Sequence, residues 1–467
     1  MKKFKKGLAL SLALAMGLSL CACGGDDATT TEGTTAGGDE GTTTEAAGGD
    51  EGTTVDDSAS GAHETMEAPA AEGEKICIYS WNTEMGELVT DEFLKKYPEY
   101  KDLIECVNLG VGGTSDEYKT QLESAISAGG DKYPSIIAMD NDVAKAFMES
   151  DYICPVSEGG ITEAMYSEAY AYTKAYASYD DGLRGLSWQA TPGGFCYRSD
   201  LAQEVLGVSE PDDVQEYVKD WDAFFETADK MKEAGYKMLS GPDDVKYVCI
   251  DQKTSPWVKD DTLNIDQAVK DYLETAKKLY DGDYTNKTTQ WDDAWTAGMD
   301  KDVFGYFGCT WFTYWSLNAP THKADYRMCA GPADYHWGGT YMAMTKDCPN
   351  KALAGFVMYT ICCDTDFMAA HMAAKSDYVN NKAAVQKNID DGNGAAETLG
   401  GQTPVEVWAA QCDSITLENA TQYDSTFNGY MDAASQAYNS GEAKTIDEAL
   451  DIIKNRVRES YSYITVE

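Results

Sequence analysis

The segment Lys75-Ile-Cys-Ile-Tyr-Ser-Trp81, followed by the periodic apolar positions Leu88, Phe93 and Leu94, decides the fold class. A short run rich in strand formers reads as a buried strand, and the helical spacing behind it stops at Tyr97-Pro98. The same cycle then recurs. Ile104 to Leu109 predicts a second strand, and Thr114-Ser-Asp-Glu117 has the form of a capping box opening a helix with Tyr118, Leu122 and Ile126 on one face. Ser135-Ile-Ile-Ala-Met139 predicts a third strand, ending in Asp140-Asn141-Asp142 where another helix starts. Three strand–helix cycles in a row argue for an α/β fold with a mostly parallel sheet flanked by helices.

Further along, Trp221 to Ala234 predicts a helix closed by Gly235, with a strand from Tyr236 to Leu239 behind it. Asp266 is placed to cap a helix carrying Val269, Tyr272, Leu273, Ala276 and Leu279 on its apolar face. A strand from Val303 to Phe307 leads through Gly308 into the aromatic run Trp311-Phe-Thr-Tyr-Trp315, and beyond residue 350 the pattern is mostly helical. About 390 residues exceed what one core usually fills, so two lobes are expected.

Before Lys75 the chain has a different character. Lys2, Lys3, Lys5 and Lys6 precede an apolar stretch ending in Leu20-Cys21-Ala22-Cys23, the physical marks of a secretory signal over residues 1–22. Residues 23–74 are dominated by Gly, Thr, Ala, Asp and Glu, which predicts a disordered acidic tether. Scaling with the square root of its length, such a tether would let the folded part float roughly 40 Å from its anchor.

The net charge is −42; setting aside the four signal lysines and fourteen acidic residues before Lys75 leaves −32 for the folded part. A field of that sign repels nucleic acid and anionic headgroups, so nucleic acid is not an expected partner. Eleven cysteines remain after Cys21 and Cys23, mostly inside apolar runs, and read as buried free thiols in a chain large enough not to need disulfides. No CxxC occurs and Cys362-Cys363 has no His at ligand spacing, so no metal and no cofactor are expected. Asp281-Gly-Asp283 departs from a calcium loop at its sixth and twelfth positions, Asn286 and Asp292, and reads as a helix-ending turn. There is no GxSxG, HExxH or P-loop, and neither His63 nor His371 has an evident partner in the sequence, which argues against an enzyme.

Two longer segments carry a family resemblance. Asp181-Gly-Leu-Arg-Gly-Leu-Ser-Trp-Gln-Ala-Thr-Pro-Gly-Gly-Phe-Cys-Tyr-Arg-Ser-Asp200 and Trp337-Gly-Gly-Thr-Tyr-Met-Ala-Met-Thr-Lys346 resemble the two passages between lobes in the extracellular solute-binding lipoproteins of bacterial ABC importers, specifically the carbohydrate-binding group related to maltose-binding protein. Leu20-Cys-Ala-Cys23 resembles the lipobox of such lipoproteins, in which Cys23 would carry the lipid. The cysteine count and the region from Gly241 to Asp261 depart from the family pattern.

The resemblance implies a two-lobed, periplasmic-binding-protein-like fold, with lobe one from 75–190 and 338–385, lobe two from 191–337 and 386–467, and a ligand cleft between them. It further implies a monomer anchored by lipid to the extracellular face of the membrane, which captures a mono- or oligosaccharide and delivers it to the transmembrane subunits of an ABC permease. The residues leave two other readings open: a polyamine or other cationic solute, given the acidic and tyrosine-rich composition, or a surface glycoside hydrolase, since paired acids are not visible in sequence.

Sugars are recognised by aromatic faces that stack on ring C–H groups and by planar polar groups that bond hydroxyls. Trp81, Asn82 and Glu84 follow the first predicted strand, Asp140 and Asn141 the third, and Trp188 and Gln189 sit at the first passage. Trp257, Trp311, Trp337 and Gly338 complete the candidate ligand-binding set. Glu84 and Asp140 read equally well as helix-terminus groups, and Trp221, Trp291 and Trp295 read as core.

Overall fold

The computed structural model describes residues 64–317 and 322–467; the expected signal segment, Cys23 and the expected tether up to residue 63 lie outside the described residues. In chain order the strands are β1 Ile76–Ser80, β2 Ile104–Asn108, β3 Pro134–Asp140, β4 Ser178–Tyr179, β5 Gly182–Leu183, β6 Leu186–Ser187, β7 Gly193–Arg198, β8 Val258–Lys259, β9 Thr262–Leu263, β10 Gly305–Cys309, β11 Tyr326–Cys329 and β12 Thr340–Met344.

The first sheet has the order β2-β1-β3-β12-β6. β1 pairs in parallel with β2 and β3, as the three strand–helix cycles predict, while β12 runs antiparallel to β3 and to β6. β1, β3 and β12 are buried almost throughout, which is why they read as continuous apolar runs. The helices Asp116–Ala128 and Lys351–Cys362 pack on β3, and the latter is buried over its whole length from Leu353.

The second sheet has the order β10-β7-β11, and both pairings are antiparallel. This corrects the expectation of a mostly parallel sheet in each lobe: alternating elements reveal element type, but a long helical connection permits a strand to return in either direction. The predicted strand Tyr236–Leu239 is reduced to isolated bridges, Lys237 to Val303 and Leu239 to Thr285. Around this sheet lie the helices Trp221–Glu233 and Gln267–Asp281, the latter packed on Asp424–Ser440, which in turn packs on Ile446–Ser460.

Three stretches link the two sheets side by side. The segment from β6 to β7 runs against the one from β11 to β12: Gly193 donates to the Tyr335 carbonyl (2.7 Å), Trp337 to the Thr191 carbonyl (3.0 Å), and Pro192 bridges His336. A third stretch joins them through Ala190 N–H to the Tyr378 carbonyl (3.0 Å) and Asn380 N–H to the Trp188 carbonyl (2.8 Å). Gly338 and Gly339 both have positive φ, 70° and 96°, a conformation a side chain would strain.

Three boundaries differ from the sequence reading. Residues 64–74 are fastened to the domain: the Pro69 carbonyl accepts from the Tyr100 hydroxyl, Asn350 Nδ2 donates to the carbonyls of Glu72 and Glu74 (3.1 Å each), and Met66 packs on the core. Backbone carbonyls bind whatever the composition of the segment that carries them, so a Glu- and Ala-rich stretch can be held by side chains far away in sequence. The lobe boundary at 385/386 falls inside the helix Lys382–Asp390, whose Asn388 Nδ2 donates to the Ala369 carbonyl (3.0 Å), so the helix stays with the preceding one. The helix after β2 is capped by Ser115 and not Thr114; Ser115 Oγ accepts from Tyr118 N–H (3.1 Å). All eleven cysteines of the described residues are free thiols, ten of them buried.

Candidate ligand-binding site

A cavity of about 710 Å³ opens beside the linking stretches, within the size range of small-molecule sites. Its walls come from the ends of β1, β3 and β6, the start of β12, the helix Thr365–Lys375 with Asp377 after it, and the segment after β10. Two π-helical stretches, Leu88–Phe93 and Phe312–Ser316, border it; they contribute Leu88 and Glu92 from one side and Tyr314 and Trp315 from the other. Such stretches recur at functional sites because they re-aim side chains within a helix.

Local chemistry fixes each group. Asn82 Oδ1 accepts from Glu84 N–H (3.1 Å), turning the chain directly after β1 into the short helix Glu84–Glu87. Trp81 stands edge-on to Tyr118 at 5.8 Å, and its ring lies so close to Gly113 that a Cβ there would be 2.8 Å away. Asp140 caps the helix Asn141–Met148 through Oδ1 to Asp142 N–H (2.9 Å), so the carboxylate at the end of β3 is in part a helix-terminus group. Trp311 donates from Nε1 to the Trp337 carbonyl (3.1 Å) and meets the Trp337 ring edge-on at 5.0 Å. Ser376, with φ of 59°, ends the helix Thr365–Lys375 and turns Asp377 into the cavity wall.

The polar wall is a connected network. Gln189 Nε2 donates to Glu84 Oε1 (3.1 Å) and to Asp377 Oδ2 (3.0 Å). His371 bridges Glu92 Oε2 at 2.9 Å and Asp377 Oδ2 at 3.3 Å. Burial disfavours the imidazolium, but bonds to Asp377 and Glu92 outweigh it and lift His371 to about 9. Burial, with the charge of Asp377, pushes Glu84 up to about 7 against the opposing effect of His371. Burial and the neighbouring Asp142 push Asp140 up to about 7. Two atoms in the wall have no protein partner: Trp188 Nε1 and Asp377 Oδ1, on side chains 2% and 3% exposed. Buried polar atoms without partners are costly, so these are places where a ligand can supply the missing hydrogen bond.

Of the candidate residues, the structure brings Trp81, Asn82, Glu84, Asp140, Trp188, Gln189 and Trp311 to this one cavity. The others lie elsewhere. Trp257 is buried at 1% exposure, its Nε1 donating to Asn428 Oδ1 (3.2 Å) and its ring edge-on to Phe427, so the Ser-Pro-Trp loop turns inward and not toward the cleft. Trp337 is buried and stacks on Tyr247 at 5.0 Å. Asn141 bonds His336 (3.1 Å) beside a smaller cavity near Asp142, Lys253 and Asp424. Gly338 gives its carbonyl to Thr191 Oγ1 (3.0 Å), and Gly339 takes the cavity position instead.

The sequence reading did not single out His371, Asp377, Glu92, Lys375, Tyr314 and Trp315 as ligand groups. His371 has two carboxylate partners, one of them far away in the chain, which no spacing reveals. Tyr314 and Trp315 carried a signal, the aromatic run after β10, of which only Trp311 was selected. Trp295 is core, donating to Asp244 Oδ1 (2.6 Å), but Trp291 is 47% exposed at φ 74° and stacks on Trp311 at 5.9 Å. Among the described residues no group of acidic, His or Cys side chains is arranged to hold a metal ion.

No curated protein sequence matches the chain. Among solved structures, an extracellular solute-binding protein of family 1 superposes with a TM-score of 0.70 at 16% identity, over 83% of this chain and 99% of that one. The ABC-transporter-associated binding protein from B. animalis subsp. lactis Bl-04, in complex with beta-1,6-galactobiose, gives 0.64 at 19% identity over 85% and 100%. The galacto-N-biose-/lacto-N-biose I-binding protein from Bifidobacterium longum, in complex with lacto-N-biose, gives 0.66 at 14% identity over 84% and 98%. At these identities the likeness is one of fold, the two-lobed α/β architecture. Residues 90–398, well over half of the chain, match the family described as bacterial extracellular solute-binding protein, and the chain belongs to that family.

Proposed function

We propose that this protein captures a mono- or oligosaccharide in the cavity between its two sheets and delivers it to the transmembrane subunits of an ABC importer, without covalent chemistry. The observation that carries the reading is the cavity wall itself: tryptophan rings (Trp81, Trp311, Trp315) stand beside planar polar groups (Gln189, Glu84, Asp377), and the buried Asp377 Oδ1 among them lacks a close partner. Stacking faces with convergent hydrogen-bonding groups are what a pyranose requires. The sugar complexes among proteins of the same fold agree with it.

Contacts from both sheets favour the state in which the lobes enclose the ligand, and the permease reads that state. We assign lobe one to residues 75–190 and 338–390, the second segment extended to the end of the helix Lys382–Asp390, and lobe two to residues 191–337 and 391–467. Cys23 is the proposed lipid attachment, which keeps a monomeric capture protein close to its permease and raises its local concentration there. Thermal-shift and calorimetric titration with a broad saccharide panel tests the reading: at least one sugar stabilises the protein, and silence across the panel refutes it.

A further inference from the structure

We propose that the saccharide carries a free, protonated amino group, and that Glu84, Asp140 and Asp377 form the subsite that receives it, an inference that rests on the carbohydrate reading of the cavity. Five carboxylates line the cavity (Glu84, Glu87, Glu92, Asp140 and Asp377), against two basic side chains, His371 and Lys375. The histidine is already committed: it is held between Glu92 and Asp377 Oδ2. Among the described residues no Lys, Arg or His is within ion-pair distance of Glu84 or Asp140; Glu84 accepts from the neutral amide of Gln189, and Asp140 from a backbone N–H.

Asp377 makes the point independently of charge. Its carboxylate is buried, Oδ2 is fully used by Gln189 and His371, Oδ1 has no partner at full hydrogen-bond distance, and the Tyr314 hydroxyl is directed at this carboxylate. Glu84 is close enough to both Asp377 and Asp140 for their charges to disfavour one another, and Tyr314 approaches Glu84 and Asp377 from the opposite wall. Two of these three carboxylates, Glu84 and Asp140, have no cation beside them, and together with Asp377 they offer acceptors to the three donors of an ammonium group. A hydroxyl offers one donor and no charge, and leaves buried carboxylates uncompensated. Trp311 and Trp315 supply ring faces that attract both sugar C–H groups and a cation.

Charge neutralisation has a second signature. An ammonium among these groups lowers the proton affinity of Glu84 and Asp140, so binding near pH 6.5 releases protons; Asp142, His336, His371, Asp377, Glu87, Glu92 and Lys375 are the other titratable groups facing them.

The test is calorimetry on the full chain with glucosamine, galactosamine and the β-1,4-disaccharide of glucosamine, each beside its N-acetylated and its hydroxyl counterpart, in two buffers of different ionisation enthalpy. The expected result is an amine at least tenfold tighter than both counterparts, with protons released. In a Glu84→Gln/Asp140→Asn variant the amine-to-hydroxyl affinity ratio falls toward one. Equal or tighter binding of the hydroxyl or acetylated form overturns the amine subsite and leaves the carbohydrate reading standing. If no sugar of any kind binds, both fall together.

Discussion

Trp311 presents its ring in the cavity wall, held there by the bond from its Nε1 to the Trp337 carbonyl. Replacing it with alanine removes a central aromatic anchor, a loss of about 2 kcal/mol or more and so roughly thirtyfold in sugar affinity by titration calorimetry. Glu84 and Asp140, at about 7, and His371, at about 9, all hold protons in the folded state that they release in the unfolded chain. The stability they contribute is complete below their unfolded values, near 4.5, 3.8 and 6.5, and is lost as pH rises through the folded ones. The ligand-free protein is therefore expected to show a falling melting temperature from pH 5 to 9, with the alkaline part of the fall flattened in His371→Asn. At this scale the sequence was informative where a residue directly follows a strand, as with Trp81, Glu84 and Asp140. It was silent on His371 and Asp377, whose roles depend on Glu92 and Gln189 arriving from distant elements. It misplaced Trp257 and Trp337 because a tryptophan beside Pro or Gly turns inward as readily as outward.

Asn350 shows how elements are joined. Its Oδ1 caps the buried helix Lys351–Cys362 through Leu353 N–H (3.2 Å), while Nδ2 holds the strap at Glu72 and Glu74. Asn350→Ala removes the cap and releases the strap, and is expected to lower unfolding free energy by about 1–3 kcal/mol in urea melts while leaving sugar affinity unchanged. The elements of the first sheet were legible because β1 and β3 are buried on both faces and read as apolar runs between helical patterns. Strand direction in the second sheet was not, since β7 and β10 are separated by more than a hundred residues of mostly helical chain. The strap was not legible either: its composition matches a tether, and what fastens it is Asn350 and Tyr100, outside the segment. The two π-helical stretches at the cavity depend on backbone detail that side-chain periodicity does not encode.

At the scale of the molecule, three stretches of chain link the two sheets, and the cavity borders all three, at Trp188 and Gln189, at Gly339 and at Asp377. A ligand there touches Trp311, Tyr314 and Trp315 after β10 and Glu84, Gln189 and Asp377 on the side of the first sheet, so binding couples the two halves. A smaller radius of gyration on sugar binding, by small-angle scattering, is the expected consequence. The acidic surface and the family both fit a protein that works outside the cell, but the site decides what it carries there. The most direct measurement is a crystal structure of the protein with the saccharide that gives the largest thermal shift. The account predicts a sugar ring packed against Trp311 or Trp315, with hydrogen bonds to Asp377 and Glu84; a sugar bound elsewhere, with this cavity holding only water, would contradict it.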